Sequence, residues 1–210
     1  SRRPDRSPAV TPQRPPLSLR RLSLTALLCG FCMMALELLG ARLLQPTFGS
    51  DIDVWAAVIS VFILSLSLGY AIGGWLADRI EPRRALGWAI LTAGVCYLLL
   101  PVYARAFLER LGPDIQAARW GSLPAALLLF LPPSVLLGGV TPLLVRLGFK
   151  EAAHVGRITG ILYAVGCLGN VRGILVTDYV LLVRYPLNTN LLGMGVVLGM
   201  PVLAGSDLAS

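Results

Sequence analysis

Glu37 and Arg42 are the first residues with obvious chemical potential, and both stand inside the oily run "MMALELLGARLLQPTFGS", Met33 to Ser50. A bare charge near the middle of a bilayer costs at least about 2.5 kcal/mol on insertion scales, so such residues pair or mark a path for a solute. A later apolar run holds Arg172 and Asp178, with Asn170 close by. Separations of five and six residues keep each run's two charges apart around its own axis, so any pairing is between helices. Cys29 and Cys32 form a C-x-x-C, yet all four cysteines lie in apolar runs. There the spacing puts two small residues on one helix face, and a thiolate in lipid is costly, so packing is the reading. His154, the sole histidine, falls in a polar connection and reads as a solvated loop residue. No cluster has metal-ligand spacing and no serine has a base in reach. Neither metal, cofactor nor catalytic residue is expected.

The elements that must position these charges follow from composition. The chain has 210 residues, 56% hydrophobic and 14% charged, with a mean hydropathy of +0.74. A soluble domain of this length needs more polar surface, so the solvent is lipid. Crossing a bilayer takes about 20 apolar residues. Six runs qualify: 22–44, 54–77, 85–107, 121–146, 157–183 and 187–205. The fold class is therefore all-α, a polytopic bundle of about six transmembrane helices over residues 22–205. Residues 1–21, rich in proline and arginine, cannot bury enough surface to fold and are expected to be extended along a partner. Residues 206–210 form a short tail. Pro132, Pro133 and Pro142 are expected to kink or split the fourth span, with neighbours satisfying the freed carbonyls.

The formal charge of +7 is not a nucleic-acid signal, because the arginines gather in the leader and at span ends. Twelve basic residues fall in the leader and in the second and fourth connections. Three fall in the first, third and fifth. That asymmetry puts both ends of the chain in the cytoplasm. Trp55, Trp75, Trp88 and Trp120 lie near span ends, as interface anchors do.

Small residues recur at four-residue spacing: Ser65, Gly69, Gly73 and Ala77, then Gly156 with Gly160, Gly169 with Gly173, and Gly195 with Gly199. In lipid such stripes let helix backbones touch. "GGWLADRIEPRR" sits on the second connection and resembles the G-x-L-A-D-R-x-x-x-R turn of major facilitator transporters. There Gly74 is expected to permit close packing, Asp78 to pair or cap, and Arg79, Arg83 and Arg84 to hold the turn in the cytoplasm. The run from Glu37 through Ala41, Arg42, Leu43, Leu44, Pro46, Phe48, Gly49 and Ser50 to Trp55 resembles the opening of the membrane-embedded spermidine synthase-like proteins. The resemblance covers about residues 30–84; "GRITGILYAVGCLGNVRG" matches that family's fifth helix more loosely.

In that family an aminopropyltransferase-like domain follows the helices. No such domain fits in this chain, and Gly73-Gly74 and Gly138-Gly139 lie within or beside membrane runs, not after a strand. Catalysis therefore does not transfer, and no enzyme activity is expected. The reading is a non-catalytic accessory subunit of a larger membrane assembly, in a bacterial cytoplasmic membrane, contacting lipid and other membrane subunits. The alternatives are a small-solute transporter or half-transporter, perhaps for amines, and the membrane anchor of a spermidine synthase-like enzyme. Spans one and five run parallel, and taking their midpoints near 33 and 170 levels Glu37 with Arg172 and Arg42 with Asp178. A two-rung ladder of ion pairs is expected.

Overall fold

The computed structural model describes residues 18–111, 115, 116, 118, 120–148 and 155–204. Most of the leader, the C-terminal tail, Lys150 and His154 lie outside these residues. Six principal helices follow one another: α1 (Leu19–Phe48), α2 (Ile52–Arg79), α3 (Pro82–Leu108), α4 (Ser122–Gly148), α5 (Val155–Arg184) and α6 (Leu187–Ala204). The first five are long and apolar enough to cross a membrane. The sixth has 18 residues, about 27 Å of helix at 1.5 Å per residue. Helix α1 begins at Leu19, so the end of the expected leader is already helical.

The connections have local causes. Gly49 closes α1 with φ +82°, a value L side chains avoid, and its N–H donates to Gln45 O at 2.9 Å. Pro82 opens α3, where a missing N–H costs nothing. Near its end α5 widens into a π turn over Thr177–Leu181. The Asn190 side-chain amide, on α6, donates to Leu181 O at 3.2 Å and Tyr185 O at 3.3 Å, holding the last hairpin together.

Glycines decide which helices meet. On α2, a Cβ added at Gly69 would lie 2.6 Å from Val135 O and 2.9 Å from Gly138 Cα. One added at Gly73 would lie 2.5 Å from Gly139 O. These are backbone-on-backbone contacts, and they lock α2 parallel to α4. Gly169 and Gly173 of α5 abut the backbone of Leu27 and Phe31, making α5 parallel to α1. Gly94 and Gly195 bring α3 and α6 together antiparallel. Phe130 joins the two parallel pairs, its ring resting on Gly40 of α1 and lying 6.1 Å from the Phe62 ring of α2. In lipid this packing replaces hydrophobic drive.

Two expectations are corrected. A Cβ on Gly74, Gly156 or Gly160 would meet nothing within 4 Å, so these glycines pack against no described residue. Gly74 is one residue, about 100°, around the helix from the Gly73 seam. The fourth span is also not split: α4 runs continuously through Pro132, Pro133 and Pro142. Pro133 cannot bond to Leu129 O, and the Tyr103 hydroxyl of α3 donates to that carbonyl at 2.7 Å. Tyr103→Phe is expected to lower the thermal midpoint in detergent by the equivalent of about 1 kcal/mol, within the range of interhelical hydrogen bonds in membranes. An unchanged melt would show that the freed carbonyl does not need this donor.

Candidate functional site

The charged residues of the sequence are distributed by helix register. Gly169 meets Leu27 and Gly173 meets Phe31, offsets of 142, while Gly30 sits against Gly166 and Asn170, offsets of 136 and 140, so α1 and α5 are aligned with an offset near 140 residues. Midpoint alignment assumed 137. With the observed register Arg172 is level with about residue 32, roughly five residues short of Glu37, about 7 Å along the axis. The two also leave on different flanks. Gly30, Met33 and Met34 line a cleft beside Gly166 and Asn170, and Glu37, four residues past Met33, continues that stripe one turn on. Arg172 is two residues past Asn170, about 200° around α5, and exposed. The inner rung is not formed: no ion pair joins Glu37 to Arg172, and Glu37 has no hydrogen-bond or ion-pair partner among the described residues.

Arg42 and Asp178 do meet, with Nη2 to Oδ1 at 3.8 Å and both side chains about half exposed. The register separates their α-carbons by about four residues along the axis. The contact closes because helical side chains lean toward the N-terminus, and the long arginine on α1 reaches back along α5. Asp178 sits in the π turn, next to the buried Thr177 hydroxyl, which has no partner.

At the α2–α3 turn the motif residues form separate contacts. Asp78 faces Arg146 of α4 at 4.0 Å. The Arg79 guanidinium lies 4.8 Å from the Trp75 ring centroid. Arg84 pairs with Glu81 at 3.2 Å. All of these are exposed, so they position the turn and the ends of α2 and α4 more than they stabilise the fold.

The cleft beside Glu37 has a volume of about 70 Å³. It opens where the α1–α5 pair meets the α2–α4 pair. Tyr70, Thr141, Tyr163 and Asn170 supply its hydroxyl and amide groups, and none of its lining residues is charged. Asn170 is legible in the sequence as a polar residue in a span. Tyr70 and Thr141 are not, because a single tyrosine or threonine in an apolar helix is ordinary. Cys29 also lines the cleft, whereas Cys32 is wholly buried and its carbonyl accepts the Tyr97 hydroxyl at 2.7 Å. Among the described residues no three His, Cys, Asp or Glu side chains gather as metal ligands.

No curated protein and no solved structure matches the chain. The sequence does match the Major Facilitator Superfamily over residues 2–174, which takes in α1 to α4 and most of α5. That span includes the glycine seams of both parallel helix pairs and the whole lining of the cleft. The fold is accordingly a transporter-like membrane bundle, and the chain belongs to the Major Facilitator Superfamily.

Proposed function

We propose that the chain is a transporter-type membrane unit that moves a small polar solute along the flank bearing Glu37, without catalysing a reaction. The observation that carries this reading is Glu37 itself, an unpaired carboxylate in an apolar span, one turn beyond a cleft lined with hydroxyl and amide groups. An intramembrane acid without a partner is retained where it handles a cation or a proton. The neighbouring Tyr70 and Tyr163 rings suit a cationic amine. At about 70 Å³ the cleft is far below the roughly 300 Å³ of a small-molecule pocket, so the path needs a second wall. Another membrane unit docked on this flank would supply it. Uptake of labelled putrescine into membrane vesicles from expressing cells tests the reading. Glu37→Gln is expected to reduce uptake at least tenfold at equal protein level; equal uptake by both proteins would refute it.

The narrower likeness to the spermidine synthase-like proteins, resting on residues 30–84, belongs to this proposal, as does placement in a bacterial cytoplasmic membrane. So does orientation. With both ends of the bundle in the cytoplasm, a cysteine introduced at Ser7 or Leu208 is expected to escape an impermeant maleimide applied to intact cells. Labelling at either position would invert the topology.

One observation favours a second reading, the non-catalytic accessory subunit. Among the described residues the buried polar side chains are Ser65, Ser122, Ser134, Thr177 and Asn190, with no buried charge, so the core is dry. A subunit needs no more than that. Purification in mild detergent followed by mass spectrometry, read beside the uptake assay, separates the two: stoichiometric membrane partners without Glu37-dependent uptake support the subunit, and Glu37-dependent uptake supports the transporter.

A further inference from the structure

Arg172 is left on the outer side of α5, and nothing among the described residues answers it. It stands 15 residues past Arg157 and 12 short of Arg184, the basic residues near the two ends of the span. That places its α-carbon close to the midplane of a hydrocarbon core about 30 Å thick. Snorkelling serves arginines near a helix end, and this one is too deep for it. The side chain is exposed and has no hydrogen-bond or ion-pair partner among the described residues. Of the two acids inside the spans, Asp178 is engaged by Arg42, and Glu37 leaves α1 on a different flank.

Helix α5 is also the long span with the most face to spare: 17% of its most apolar stretch is buried, against 39–56% in α1 to α4. Ile161, Val165, Leu168, Arg172 and Leu175 follow one another in alternating steps of four and three residues, which confines them to an arc of about 80°. Leu168 and Leu175, one turn to either side of Arg172, are 58% and 50% exposed. Such a stripe is the seam of two helices crossing at a shallow angle, and a single polar residue in a seam sets which partner and which register are accepted. We propose that this face of α5 docks a transmembrane helix of another protein, whose aspartate or glutamate at mid-depth pairs with Arg172. A carboxylate is selected because the guanidinium fork takes its two oxygens side by side and the pair cancels its own charge, at a depth that lipid phosphates do not reach. A second copy of the chain does not fit, since a two-fold contact through this seam would set Arg172 against Arg172. The face lies about 200° around α5 from Asn170 and the cleft, so the inference does not rest on the transport reading.

The test uses the full chain, with a donor fluorophore fused to its C-terminus, in phosphatidylcholine vesicles. The probes are synthetic lysine-flanked leucine–alanine helices long enough to span, with Glu, Leu or Arg at the centre and an acceptor dye at one end. Energy transfer is expected to show the Glu probe associating roughly tenfold more tightly than the Leu probe, the size of a strong interhelical polar pair in lipid. Arg172→Leu is expected to bring the Glu probe down to the level of the Leu probe. Arg172→Glu is expected to transfer the preference to the Arg probe, a reversal that no folding defect produces. Equal association of the Glu and Leu probes with the native chain, or a Glu preference that survives Arg172→Leu, overturns the proposal. So does a dimer of the chain alone that Arg172→Leu dissociates, because it assigns the face to a second copy. Putrescine uptake enters none of these comparisons, so a failure of transport leaves this face standing.

Discussion

Alanine at Gly73 is expected to destabilise the bundle strongly, while alanine at Gly74 leaves it unchanged. The two positions are adjacent, chemically identical and equally helical, so intrinsic propensity cancels: either substitution improves it, by about 1 kcal/mol in a helix interior. They differ in what the new methyl meets. At Gly73 it would sit 2.5 Å from Gly139 O and 2.6 Å from Gly139 Cα, both backbone atoms of α4. Neither can rotate away, so α2 and α4 must separate, and the neighbouring Gly69 contact opens with them. Overpacking a tight core costs roughly 1–3 kcal/mol and occasionally more; a rigid backbone on both sides places this site at the upper end. At Gly74 nothing lies within 4 Å. Thermal melts followed by circular dichroism in detergent would show a lowered midpoint for Gly73→Ala and an unchanged or raised one for Gly74→Ala. Matching midpoints for the two variants would mean that α2 and α4 are not in backbone contact. The same comparison would then remove the α2–α4 wall of the cleft.

Glu37→Gln is expected to stabilise the protein while abolishing uptake. The carboxylate is unpaired in an apolar span, and its charged form costs about 2.5 kcal/mol near the bilayer centre by insertion scales. The neutral amide removes most of that cost at nearly the same volume. A residue kept for structure would lose stability on substitution; one kept for function against its own cost does the reverse. The paired outcome, a higher melting midpoint with uptake at least tenfold lower, identifies Glu37 as a functional carboxylate. A lower midpoint would instead reveal a partner that stabilises it. The charge-reversal double, Glu37→Arg with Arg172→Glu, sharpens this. With about 7 Å of axial separation and different flanks, the second substitution is not expected to rescue the first. Rescue would require a register different from the one set by Gly169 and Gly173.

Much of the architecture is legible in the amino-acid sequence, and the reason is the solvent. Lipid demands long apolar helices, so the spans can be counted from hydropathy, with α6 the shortest. The Gly69 and Gly73 stripe announces a close contact, because four-residue spacing keeps small residues on one face. It cannot name the partner: Gly138 and Gly139 are one candidate among many small residues. Nor can it tell Gly73 from Gly74, since which of two adjacent glycines faces a neighbour depends on how the whole helix is rotated. The prolines of α4 are visible, but not the Tyr103 hydroxyl that answers one of them from another helix.

By itself, then, the sequence determined a membrane bundle, its approximate spans, a set of charges that lipid does not tolerate bare, and the charge asymmetry on which the proposed orientation rests. Each follows from local composition and the period of a helix, which are properties of a single segment. The tertiary structure alone decided which charges meet. Two parallel helices can slide along each other by several residues without changing either one's hydropathy, so depth estimated from span midpoints was about three residues out. Glycine contacts set the true register, and with it Arg42 reaches Asp178 while Glu37 is left alone beside the cleft. The same contacts close the cleft that Met33 and Met34 line from α1 and Tyr163 and Asn170 from α5. No spacing rule reports a cleft whose walls stand on helices more than a hundred residues apart, because their proximity exists only once the backbones have touched.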